Sequence, residues 1–209
     1  MRFGTRQPLL FPIGHSMGET GDGQERSHVI RRGGDLVDMD RRRFDLWKLA
    51  RGKKDEKRGW TRKAVEREAR RLGVADPAAI VDGLVADGLI AELAPGRRAA
   101  HRFALAYQLH PLMIGVGNTR LEPWLYGIGF GDQPVLRVEG HLFSLWQWAH
   151  LDENLWQTCQ VYADAEAQSG ETDRDLTDPQ RVLKRLVGSL HLFTANSAAY
   201  LDVARGSGA

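Results

Sequence analysis

The sequence predicts an α+β chain made of two copies of one module, each a β-hairpin followed by three helices. Two observations carry this expectation. The chain repeats itself at an offset near 100 residues, and each copy passes from β-prone strings around a glycine turn into apolar stripes at helical spacing. The pattern Phe-x-Leu-Trp-x-x-Ala occurs as Phe44, Leu46, Trp47 and Ala50, and again 99 positions on as Phe143, Leu145, Trp146 and Ala149. Ile13-Gly14 and Ile114-Gly115 match at 101, Arg2-Phe3 and Arg102-Phe103 at 100, and Trp60 and Val65 match Trp156 and Val161 at 96. Asp76-Pro77 and Leu84-Val85 answer Asp178-Pro179 and Leu186-Val187 at 102. The drift in offset falls in residues 52–59 and 168–177, where loops are expected. Residues 1–100 form one module and residues 101–209 its tandem duplicate.

In the first module, residues 28–39 read as two short strands around Gly33-Gly34, because glycine accepts the positive φ of a tight hairpin. Residues 125–130 and 135–138 around Gly131-Asp132-Gln133-Pro134 repeat it in the second. The first helix carries Phe44, Leu46, Trp47, Leu49 and Ala50. The second starts at Thr61 as N-cap, continues through Ala64, Val65, Ala69 and Leu72, and stops at Gly73. The third opens with Asp76 as N-cap and Pro77 in the first turn, with Ile80, Val81, Leu84 and Val85 on one stripe and Gly88 as its end. Leu89 to Leu93, a turn at Pro95-Gly96-Arg97-Arg98, and Arg102 to Leu105 read as a trailing hairpin. Three helices with such a wing make two tandem winged-helix modules.

Composition narrows the class. At 209 residues and 42% hydrophobic, the chain is long enough to bury a core. No run approaches the roughly 18 apolar residues of a membrane span, and Met1 to Gly4 lacks signal-peptide character, so a cytoplasmic protein is expected. The single Cys159 excludes an internal disulfide and a thiolate metal cluster. A net charge of +2 conceals a division: residues 1–110 carry 22 Lys and Arg against 15 Asp and Glu, a surplus of +7, and residues 111–209 carry 7 against 12, giving −5.

The stretch from His28 to Leu93, with its hairpin, its Asp-x-x-x-Phe-x-Leu-Trp entry into the first helix and its Asp-Pro and Leu-Val-x-x-Gly-Leu-Ile string around the third, resembles the PqqD-like peptide-recognition elements of ribosomally made, post-translationally modified peptide biosynthesis. Residues 124–193 share it more weakly. The resemblance implies a non-catalytic subunit that binds a precursor's leader peptide as an added strand beside the hairpin, in a groove next to the third helix. The chain departs from that family by an additional N-terminal segment and an entire second copy.

Two ligand classes follow. For a peptide, an exposed hairpin edge offers unpaired backbone groups, and Val29, Ile30, Leu36, Val37, Ile80 and Leu84 are the expected groove, with core packing as their ordinary alternative. For DNA, Arg62, Lys63, Arg67, Arg70 and Arg71 of the second helix and the wing tip Arg97-Arg98 offer a phosphate-contacting face, supported by Arg41 to Arg43 and the cluster in residues 53–58. The third helix argues against DNA: its polar positions are Asp76, Asp82 and Asp87, with no base-reading cation. Trp148, opposite Leu49 in the repeat, is either a contact between modules or an anchor for a partner.

Catalytic readings are weak. Gly14-His15-Ser16-Met17-Gly18 matches the GxSxG string of hydrolases, but no βα pattern follows it and the repeat at Gly115 carries no serine, so it is expected to be a glycine-rich loop leading into the hairpin. Seven scattered histidines without close pairs argue against metal, and Gly115 to Thr119 lacks the Lys-Ser or Lys-Thr of a phosphate loop. Cys159 reads as a small buried hydrophobe. The expectation is a recognition or scaffold subunit for a precursor peptide or a modifying enzyme, without cofactor, metal or catalytic residues; a DNA-binding regulator is the alternative.

Overall fold

A computed structural model describes residues 7–21, 26–54 and 60–206. The chain is α+β, and among the described residues it holds eight helices and four small antiparallel sheets. The first module runs β1 (Leu9–Pro12), β2 (His15–Thr20), β3 (Ser27–Arg32), β4 (Asp35–Met39), α1 (Arg41–Leu49), α2 (Arg62–Arg71), α3 (Pro77–Ala86) and β5 (Ile90–Leu93). After α4 (Arg97–Ala106), the second runs β6 (Tyr107–Pro111), β7 (Ile114–Asn118), β8 (Leu125–Phe130), β9 (Gln133–Glu139), α5 (Gly140–Trp148), α6 (Leu155–Gln168), the one-turn α7 (Arg174–Thr177), α8 (Pro179–Ala195) and β10 (Ala199–Val203). In each module the first strand pairs with the last, β1 with β5 and β6 with β10, and a three-stranded meander and three long helices lie between.

The two halves share several local details. Trp47 and Trp146 are both buried, and their indole N–H groups donate to Ile13 O at 3.1 Å and Ala198 O at 2.9 Å. Ile13 N donates to Leu89 O at 2.9 Å, and Leu112 N to Ala198 O at 2.9 Å. The first two strands of each meander slip register, between Ser16 and Gly18 and between Gly115 and Gly117, and the closing glycine has positive φ in each, +105° and +76°. Asp76 and Asp178 cap α3 and α8 with their carboxylates.

Several expectations need correction. The Gly14 to Gly18 stretch is not a loop: His15 to Thr20 form β2, so the hairpin is a three-stranded meander, kept open to glycine by the bulge. The wing is absent. β5 pairs with β1, and Arg97 to Ala106 are helical because Ala100, Phe103 and Ala104 share a buried stripe. The matched Ile-Gly pairs are not equivalent either, since Ile13 occupies the place of Leu112. Val65 is fully buried while Val161 is 52% exposed, so that match fails as well. Arg102-Phe103 belong to α4, whereas Arg2-Phe3 and residues 55–58 lie outside the described residues.

Two cores share the β1–β5 ribbon. Leu10 and Ile90 sink into the first, with Ile30, Leu46, Trp47 and Leu84. Phe11, Ile13, Ala91 and Leu93 face the second, with Phe103, Trp146 and Leu186. Strand side chains alternate faces, so this ribbon is apolar on both sides and sits between the modules. Polar contacts complete the junction. Gly14 N donates to Leu201 O at 2.7 Å, Thr194 Oγ1 to Arg51 O at 2.8 Å, and His191 bridges Leu10 O at 2.8 Å and Trp60 N at 3.4 Å.

Candidate functional site

The β3–β4 hairpin closes through a two-residue turn between Arg32 and Asp35, with Gly33 at φ +56°; Gly131 holds the same place at +57°. In such a hairpin the residues flanking the turn exchange both backbone hydrogen bonds, and the pairs then alternate. Arg32/Asp35, Ile30/Val37 and His28/Met39 therefore bond inward, and the N–H and C=O of Leu36 and Asp38 face outward along the free edge of β4. Leu36 is 67% exposed. In the second module Pro134 stands in β9 and a register shift follows Ile128, so the matching edge is interrupted and lacks a donor.

Of the six expected groove residues, Ile30 and Leu84 are fully buried in the first core and Val29 is buried. Val37 and Ile80 are half-buried and pack against that core, which leaves Leu36 as the fully presented side chain. Asp38 accepts a hydrogen bond from Ser27 Oγ at 3.0 Å. The hairpin tip is held by the second module: Gly33 N donates to Asp202 Oδ1 at 2.8 Å, Arg31 lies 3.4 Å from Asp202 Oδ2, and Arg31 Nη2 donates to Tyr200 Oη at 2.5 Å. The Asp202 side chain is itself buried.

The cationic set behaves differently from what its sequence suggests. Arg62 reaches Glu66 at 2.9 Å, Asp82 at 2.6 Å and Glu92 at 3.0 Å, tying α2 to α3 and β5, and its pKa is raised chiefly by the bond to Asp82. Arg70 pairs with Glu66 at 3.5 Å. Arg71 and Lys53 both bond Glu68 at 2.8 Å, and these hold the Glu68 carboxyl down at about 2, Arg71 most strongly. Among the described residues Lys63, Arg67, Arg97 and Arg98 are exposed without an ion pair. Arg97 and Arg98 open α4, and Arg97 shares a depression with Arg181 and Lys184 of α8. Helix α3 presents Asp82 and its cap Asp87, the latter paired with Arg43.

A feature absent from the sequence reading is a cleft of about 220 Å³ where the modules meet, lined by His15, Ser16, Trp47, Arg51, Ser197 and Tyr200 among others. These positions are far apart in sequence; the one local signal was the Gly14 to Gly18 string, whose serine sits on a strand that continues as a strand, without the helix a nucleophile elbow requires. Trp148 is 52% exposed. Cys159 is buried, and burial raises its thiol pKa. Among the described residues no group of three His, Cys, Asp or Glu is placed to hold a metal ion, and no helix is long and apolar enough to cross a membrane. A scan against protein-family models, a search of curated proteins and a search of solved structures each return no match.

Proposed function

We propose that the protein is a non-catalytic recognition or scaffold subunit that binds an extended peptide, as an added strand, along the free edge of β4. The resemblance of residues 28–93 to PqqD-like winged-helix elements supports a precursor peptide of modified-peptide biosynthesis, or its modifying enzyme, as the partner. The observation that carries the reading is the β4 edge itself. Its outward backbone groups, those of Leu36 and Asp38, are unpaired among the described residues, its Leu36 side chain is exposed, and its tip is fixed by Asp202, so the strand is ordered before any partner arrives. Duplex DNA is less well supported, because Arg62, Arg70 and Arg71 are engaged by carboxylates and α3 carries no cation.

The test is peptide selection from a displayed random library on the full chain, followed by affinity measurement on Leu36→Pro and Val37→Ala. Proline at position 36 removes an outward donor on an edge strand, where it is tolerated, and should weaken the selected peptide at least about tenfold, worth about 1.4 kcal/mol. Val37→Ala leaves the edge donors intact and should bind nearly as well. Failure to select any peptide, or equal binding by Leu36→Pro, refutes the edge site.

A further inference from the structure

The cleft between the modules is not used by peptide addition at β4, and three observations mark it. First, Arg51 is largely enclosed there with its guanidinium 4.8 Å from the centroid of the Trp47 ring, yet no carboxylate or hydrogen-bond acceptor among the described residues pairs with it. Burial lowers its pKa, and among the described residues no acid opposes that shift. The neighbouring Arg31, by contrast, is matched by Asp202 and Tyr200. A guanidinium removed from water without a counter-ion is unfavourable, and an oxyanion accepting its fork of donors reverses the penalty.

Second, Ser197 lines the same cleft at φ +54°, just after Asn196 caps α8. That position ordinarily takes glycine, because the left-handed region disfavours a side chain. A hydroxyl is kept there against local preference. Tyr200 adds a second hydroxyl: its oxygen already accepts from Arg31, which leaves its own proton to donate.

Third, the duplication supplies an internal comparison. At the offset of 99 that relates Pro12 to Pro111 and Trp47 to Trp146, the residues His15, Ser16 and Arg51 correspond to Ile114, Gly115 and His150. A side chain at Gly115 would meet Phe143 at 2.5 Å. The polar set is therefore specific to the first module, whose cleft the second module walls with Ser197 and Tyr200.

We propose that the junction cleft binds a small oxyanion, a carboxylate or phosphate group carried on an apolar body, with Arg51 as its charge partner and the hydroxyls of Ser16, Ser197 and Tyr200 as hydrogen-bonding groups. Pro12 and Leu112, which also line the cleft, face the apolar part. The electrostatics agree: burial first, then the charges of Arg31 and Arg51, lower the pKa of His15, as expected beside an excess of positive charge.

The experiment titrates the full chain with inorganic phosphate and, separately, with hexanoate, following the His15 ring by NMR and the heat of binding by calorimetry. Binding of either probe, with the His15 pKa rising as the anion arrives, is the expected result; phosphate alone assigns a phosphoryl head group and hexanoate alone a carboxylate on an apolar chain. Arg51→Gln should lose at least about tenfold in affinity, since a charge-assisted pair is removed, while Lys63→Gln on α2 should lose none. No response to either probe up to about 10 mM, a concentration that would detect even weak sites, overturns the proposal, as does an equal response in Arg51→Gln. If Arg51→Gln does not fold, Ser197→Gly decides alone. Glycine suits the positive φ, so that variant should melt higher while binding several-fold more weakly; undiminished affinity overturns the site.

Discussion

His191 makes the junction between modules sensitive to acid. Its ring stacks on Phe11 with centroids 4.2 Å apart, Nδ1 accepts from Trp60 N, and Nε2 therefore carries the proton and donates to Leu10 O. A second proton on Nδ1 would displace the Trp60 bond and place a charge among apolar side chains. Burial, opposed only by the Leu10 hydrogen bond, lowers its pKa from 6.5 to about 4. The unfolded chain thus takes up a proton near 6.5 that the folded chain refuses until about 4, and stability is lost as pH falls through that window. Integrating the two titrations gives a loss of about 3 kcal/mol at pH 4 relative to neutrality, at 1.36 kcal/mol per unit. Urea unfolding of the wild type and of His191→Gln, followed by circular dichroism at several pH values from 7 to 4, isolates this contribution, because every other residue is common to the two proteins. The variant starts less stable, having lost one of two buried hydrogen bonds, but its stability should fall about 3 kcal/mol less across the window. Parallel pH dependence in the two proteins refutes the assigned role of His191.

Asp202→Ala should cost about 3 kcal/mol by urea unfolding, because it frees the half-buried Gly33 N–H and removes the partner of Arg31; a loss below about 1 kcal/mol would mean that the hairpin tip is not held by Asp202. Gly33→Ala should cost more than Gly131→Ala. Both sit at nearly equal positive φ, but a Cβ at Gly33 would lie 2.8 Å from Val203 Cγ2 while Gly131 faces open space, and Val203→Ala should recover the difference in a double-mutant cycle. A fluorescent DNA duplex should bind no more tightly than about 10 μM near physiological salt, within the range of non-specific contacts. Tight binding that falls steeply with salt and is lost in Arg67→Glu would place DNA ahead of peptide.

The features legible in sequence were those encoded by neighbouring residues. The buried Phe-x-Leu-Trp-x-x-Ala stripes, the caps Thr61 and Asp76, and the glycine turns at Gly33 and Gly131 all follow from spacing within a few residues. β2 was obscured because a bulge and Gly18 interrupt the alternation that marks a strand. The expected wing strand is instead helical: Arg102 to Leu105 is too short a window to separate period two from 3.6, and only the wider Ala100, Phe103, Ala104 stripe does so. The peptide edge was half legible. Leu36 could be named, but whether Leu36 or Val37 turns its backbone outward depends on the pairing parity set by the turn, and Ile30 and Leu84 could not be told from core. The cleft was invisible, since His15, Arg51 and Tyr200 are joined only by the docking of one module on the other.

That docking also explains why two copies of one fold do not behave as a symmetric pair. A two-fold arrangement would make each contact twice, yet Ile13 bridges to Leu201 in parallel, and among the described residues no bridge joins Leu112 to β5. The two halves differ in structure. α8 has 17 residues where α3 has 10, and the additional turns carry His191 and Thr194 onto the first module. β10 supplies Asp202 and Tyr200 to the first module's hairpin, while β9 carries the proline that interrupts its own edge. These departures from the repeat in the second module either support the first or remove a duplicate of its exposed edge. The asymmetry thus leaves the uninterrupted β4 edge on the first module and the junction cleft beside it, both completed by the second.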